Sequence, residues 1–366
     1  MTPLEEKPES RGEQVLGLIA LCGELPSSAL RLFSGNDEWT QKAVRTLIQR
    51  GLVKSYQKDG VRALRMTKRG WRLLEGAYPA RYAYWHERAQ RYCGQRSDLK
   101  SRLRTHRIAE ALVLLSQAGI TLHRDQKPEL AGGRFQGTDA PATPVCYSSV
   151  EIKDMGDAAT RIKATRAVGL LLCGEENFLV YNSASALMKW SSKAEQKLIG
   201  AVDGSLELAG WRQQELSALM LGTDMSMALP LLQSNGKFRR QCFSVDETFP
   251  SMLYAPLDAA GCRLVQLYCS TFARHRLRKI LLAGRDPPRF PRYPCDYEED
   301  SRSVLLACEF DLQKIVHFKN GLELFDERGV AICFEFQREP LEAFLGDLAD
   351  IRPVPSSLLE ETLHGH

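Results

Sequence analysis

The chain has 366 residues, 44% of them hydrophobic and 26% charged, with a net charge of +4. This is the composition of a soluble globular protein of two or three domains, and no run approaches the ~20 apolar residues of a membrane helix. The acidic start MTPLEEKPESRGEQ is no secretory leader, and ten cysteines without one Cys-x-x-Cys pair fit no zinc ribbon or finger. Buried free thiols and a cytoplasmic location are expected.

The charge is segregated. Residues 31–107 hold 19 Lys and Arg against 6 Asp and Glu, residues 1–30 are net −3, and residues 108–366 are net −6. A phosphate backbone rewards such a concentration through counterion release.

In chain order, residues 1–10 read as a disordered tail and the apolar run 14–22 as a first helix. Pro26-Ser27-Ser28 supplies a second helix start, with Leu30, Leu32 and Phe33 inward, and residues 34–37 a turn. Residues 38–50 then place Ala43, Val44, Leu47 and Ile48 at helical spacing, with polar and cationic residues on the other faces. Gly51 supplies the left-handed stop. Leu52, Val53 and Tyr56, then Asp59-Gly60, then Val61, Leu64 and Met66 read as two strands around a tight turn. A further helix opens at Thr67, with Gly70, Trp71, Leu73 and Leu74 behind it.

Helix, Gly-Leu-Val, basic hairpin, then LRMTKRGWRLL over residues 11–78 resembles the winged helix-turn-helix superfamily, with a MarR-like wing. The resemblance implies that helix 38–50 enters the major groove of double-stranded DNA. Thr40, Gln41, Arg45 and Gln49 are then expected near DNA, with Lys42 on a phosphate; Gln and Arg suit adenine and guanine edges. Wing 53–66 offers Lys54, Lys58, Arg62 and Arg65 to phosphates or the minor groove.

Residues 79–123 form a basic helical extension. Its aromatics, Tyr82, Tyr84, Trp85 and Tyr92, are expected to dock on the preceding module or on a dimer partner, and part of its charge to lie along nucleic acid. A winged helix, a basic segment and an apolar helix in this order resemble the replication-relaxation proteins of plasmids and conjugative elements. That resemblance implies a role in replication, mobilisation or transcriptional control of a mobile genetic element, and a C-terminal α/β domain related to restriction-type nucleases. Residues 124–144, rich in Gly and Pro, read as a linker.

Asp139, Glu151 and Lys153 stand in the order Asp…Glu-x-Lys. In a metal-dependent nuclease such carboxylates hold Mg²⁺ and the lysine orients the attacking water, which needs Glu-x-Lys on one strand face. A capping box competes: Ser148 as N-cap and Glu151 three residues into a helix. Residues 145–200 begin the α/β region, with a hairpin over 161–181 in which Arg166 pairs Glu175 or Glu176, and a helix from Lys193. In residues 201–366, strands are expected at 216–222, 241–245, 252–254, 263–268, 304–310, 322–325 and 330–336, and helices at 225–232, 271–282 and 341–348. Asp224 and Asp246-Glu247 read as turn or cap residues.

The expected fold class is α+β: an N-terminal winged helix-turn-helix followed by an α/β region with a mixed sheet of nuclease-like type. The expected function is DNA binding without catalysis and without cofactors. A Mg²⁺-dependent nuclease using Asp139, Glu151 and Lys153 is one alternative, and a protein-interaction adaptor the other. Double-stranded DNA is the expected partner, with a homodimer, or a protein partner for the C-terminal region, beside it, and no membrane.

Overall fold

A computed structural model describes residues 10–33, 35, 37–91, 98–130, 144–155, 162, 165–174, 176–211, 215–234 and 242–364. The fold is mixed α/β and divides into two compact units: residues 1–117 with 122–127, and residues 118–121 with 128–366.

In the first unit, α1 (Arg11–Cys22) starts at a capping box between Ser10 and Glu13 and stops at left-handed Gly23. Every residue from Val15 to Cys22 is buried, making α1 the central element of this core. The short β1 (Leu25–Pro26) follows, and Ser27–Leu32 is a 3₁₀ helix rather than an α-helix. Next come α2 (Asp37–Gln49), β2 (Val53–Lys58) and β3 (Val61–Met66). Asp59 and Gly60 both take positive φ, 52° and 75°. Positive φ at both central residues defines the type I′ turn that matches strand twist. β1 pairs antiparallel with β3, completing a three-stranded sheet in the order β1-β3-β2.

α3 (Lys68–Ala77), α4 (Pro79–Arg91) and α5 (Leu99–Gln117) complete the unit. Tyr82 and Trp85 of α4 are buried, Tyr82 edge-on to His123 at 5.7 Å, so these aromatics are core. Tyr92 lies outside the described residues.

The second unit has a five-stranded sheet of β4 (Val145–Ser148), β5 (Gly169–Leu172), β6 (Asn177–Ala184), β7 (Leu216–Gly222) and β8 (Met252–Pro256). They lie side by side in that order: β4, β5 and β6 form an antiparallel meander, and β7 and β8 continue in parallel with β6. A four-stranded sheet follows, in the order β12-β11-β10-β9, from β9 (Tyr297–Glu299), β10 (Arg302–Leu306), β11 (Gly329–Phe334) and β12 (Ala349–Val354). Apart from the antiparallel β9–β10 pair it is parallel, with helices crossing between strands.

Three expected strands are corrected. Residues 263–268 belong to the helix Ala259–Tyr268, capped by Asp258, and residues 322–325 are the last turn of the helix Leu312–Phe325, capped by Asp311. Of residues 241–245, Gln241 lies outside the described residues, and Cys242 makes only an isolated bridge to Lys189. Among the described residues no helix is long and apolar enough to cross a membrane.

Candidate nucleic-acid interface

α2 has two well-separated faces. Thr40, Val44 and Leu47 are buried; at about 100° per residue, the opposite face centres on Lys42, Arg45 and Gln49. All three are exposed, and Gln41 is exposed beside them. Thr40 is a correction: at 1% exposure it lies in the core and cannot reach a ligand, because its position falls on the Val44–Leu47 stripe. Trp39 is 70% exposed on the first turn of α2, and the residue pattern did not single it out. Ile48 is 40% exposed, but it lies on the side of α2 opposite Trp39, so the two form no continuous apolar patch.

On the hairpin, Lys54, Lys58 and Arg62 are exposed. Arg62 donates to Gln57 Oε1 at 3.4 Å, a loose contact along the hairpin surface. Arg65 is the second correction. Its guanidinium stacks 3.5 Å from the Tyr56 ring centre and donates to Glu24 Oε2, from Nε at 2.7 Å and from Nη2 at 2.5 Å. It is held inward by a buried carboxylate and is not a free cation of the hairpin.

Glu24 is only 4% exposed. Arg102 and His106 of α5 both contact its other oxygen. Burial alone would raise this carboxyl; the hydrogen bonds from His106, Arg102 and Arg65 outweigh it and hold the pKa at about 2. Arg81 of the basic extension is likewise internal, paired with Asp125 at 3.0 Å. Part of the positive charge of residues 31–107 is therefore structural. The remainder includes Lys68, Arg69 and Arg72, exposed on α3 and also unmarked by the residue pattern.

Thr67 and Gly70 explain the Thr-x-x-Gly spacing. The Thr67 hydroxyl donates to Gly51 O (2.7 Å) and Leu52 O (3.0 Å) and accepts from Gly70 N (3.1 Å). A Cβ on Gly70 would stand 2.3 Å from Leu52 O and 2.5 Å from Met66 Sδ. The start of α3 thus presses on the link between α2 and the β2–β3 hairpin, which sets the two exposed cationic surfaces relative to each other.

The residues of the nuclease alternative do not share a strand. Asp139 lies outside the described residues. Glu151 and Lys153 fall on α6 (Ser149–Lys153), where Ser148 and Glu151 form a capping box. Glu151 is buried, its Oε2 accepting from Ser148 N at 2.8 Å and Ser148 Oγ at 3.0 Å, while Lys153 is exposed. Two helical positions are about 200° apart, so the common face that Glu-x-Lys requires is not formed. Strands β4 to β8 carry no Asp, Glu, Lys or Arg.

Other acids of this unit also have structural partners. Glu176 pairs with Arg274, not Arg166, and Glu175 lies outside the described residues. Asp224 accepts from Ser226 N at 2.9 Å, and Asp246 from Trp190 Nε1 at 3.0 Å and Ser192 Oγ at 2.6 Å. Among the described residues no group of three or more His, Cys, Asp or Glu is placed to hold a metal ion.

The chain matches no family model, no curated protein and no solved structure.

Proposed function

We propose that residues 11–78 are a winged helix-turn-helix and that the protein binds double-stranded DNA through α2 and the β2–β3 wing, without catalysis. The observation that carries this reading is the exposed face of α2. Lys42, Arg45 and Gln49 stand together on it while Thr40, Val44 and Leu47 anchor the opposite face. A helix so presented fits the major groove, where Gln and Arg pair with base edges and Lys with phosphate. Lys54, Lys58 and Arg62 on the hairpin extend the contact to the backbone, and the excess positive charge of residues 31–107 supports the same partner. The interface comprises Gln41, Lys42, Arg45, Gln49, Lys54, Lys58 and Arg62, without Thr40 and Arg65. The resemblance to replication-relaxation proteins supports a role for this binding in the replication, mobilisation or transcriptional control of a mobile element. The cysteine pattern, without a Cys-x-x-Cys pair, supports a cytoplasmic location.

Fluorescence anisotropy with a labelled mixed-sequence duplex tests the reading. The triple variant Lys42→Ala/Arg45→Ala/Gln49→Ala is expected to bind at least about 100-fold more weakly, each lost contact costing roughly 1 kcal/mol or more. A folded triple variant with wild-type affinity would remove α2 from the interface.

A further inference from the structure

The wing is fastened from outside itself. A two-stranded hairpin has little stability of its own, and the turn of this one, Asp59-Gly60, is exposed. Lys58 and Val61 are the last residue pair of its ladder. Their carbonyl oxygens both accept from Arg102 of α5, Lys58 O from Nη1 at 2.7 Å and Val61 O from Nη2 at 3.1 Å.

The same guanidinium is anchored at its other edge. Nε and Nη2 donate to Glu24 Oε1 at 2.9 and 2.7 Å, and His106, one turn further along α5, contacts that oxygen at 2.7 Å. The Arg102 Cζ also lies 4.8 Å from the Tyr56 ring centre. Arg102 is 1% exposed and, among the described residues, is the largest fully buried polar side chain of this unit. Its planar fork thus spans a buried carboxylate and both strands at the wing tip, which the point charge of a lysine cannot do.

We infer that Arg102 is a positioning residue for DNA binding: α5, which belongs to neither α2 nor the wing, holds the wing tip in the geometry that meets the phosphate backbone. The inference rests on the DNA-binding reading above. Lys54, Lys58 and Arg62 project from strands whose free end this arginine ties to Glu24. With the tie cut, the tip frays, and its cations Lys58 and Arg62 no longer hold their phosphates in the complex, which costs both affinity and counterion release.

The test uses the full chain with Arg102→Met and Arg102→Lys, read by amide hydrogen exchange across residues 57–62 and by duplex binding at several salt concentrations. Both variants are expected to speed exchange of the wing-tip amides about tenfold or more. They are also expected to weaken DNA binding about tenfold and to lower the slope of log affinity against log salt by roughly two, the share of the wing phosphates. Arg62→Ala should weaken binding in the wild type and add nothing in Arg102→Met. Should Arg102→Met fail to fold, Arg102→Lys, which keeps a cation beside Glu24, carries the same measurements. Unchanged wing-tip exchange, or a folded variant with wild-type affinity and slope, would overturn the clamp. A wild-type chain that binds no duplex at any salt would instead defeat the DNA-binding reading.

Discussion

Glu24 joins three basic side chains of the first unit, and its ionisation carries a stability consequence. Its pKa falls from an ordinary 4.5 to about 2 in the folded protein. A carboxyl lowered in this way contributes fully above 4.5 and loses its contribution as the pH falls from there through about 2. Replacing it by glutamine strips Arg65 and Arg102 of their countercharge, with an expected cost of about 3 kcal/mol near neutral pH. Chemical denaturation at a series of pH values should show the gap between wild type and Glu24→Gln closing from pH 4.5 downward; a constant gap would contradict the ion-pair account. Thr40 predicts the opposite sign. Its buried hydroxyl has no hydrogen-bond partner among the described residues, so Thr40→Val should be neutral or stabilising by up to about 1 kcal/mol and should leave DNA affinity unchanged. The burial of Thr40 was legible, since it stands four residues before Val44 and seven before Leu47 on the same helical stripe, against the polar start of the helix. The Glu24 cluster was not, because Glu24 stands 41 residues from Arg65 and 78 from Arg102.

At the scale of elements, the junction of α2, the β2–β3 hairpin and α3 depends on Gly70 and Thr67. Gly70→Ala places a methyl against Leu52 O, and backbone cannot move aside as a side-chain end can. Thermal melts should report a loss of about 3 kcal/mol, the upper end of the usual overpacking cost. Thr67→Ala removes the N-cap and the tie to Gly51 and Leu52 and should cost about 1–2 kcal/mol. A Gly70→Ala protein as stable as wild type would show that α3 does not pack as described. The hairpin was readable because Asp59-Gly60 takes the two positive φ values that Asp-Gly favours. The capping box at Ser148 and Glu151 was readable for the same local reason, and so competed openly with the nuclease motif. The helix Ala259–Tyr268 was misread because its last residues, RLVQLY, form a short apolar run that suits a buried strand equally well. Its cap, Asp258, lies before the part that was read.

For the whole molecule, the segregation of charge was legible by counting. What counting could not separate was charge committed to the interior, at Arg65, Arg81 and Arg102, from charge left on the surface, at Lys42, Arg45, Lys54 and Arg62. On the proposed function, that distinction decides how many phosphates the protein can neutralise, and the salt dependence of duplex binding would measure it directly. The first measurement is therefore affinity for a duplex from about 50 to 200 mM salt, for the intact chain and for Arg45→Ala/Arg62→Ala. A steep linear fall of log affinity with log salt is the predicted result, made shallower by roughly one in the double variant, since Arg62 gives up a phosphate while Arg45, on a base edge, costs affinity without changing the slope. Binding that is absent at low salt, or equally steep in both proteins, would contradict the central claim that these two exposed surfaces form the DNA interface.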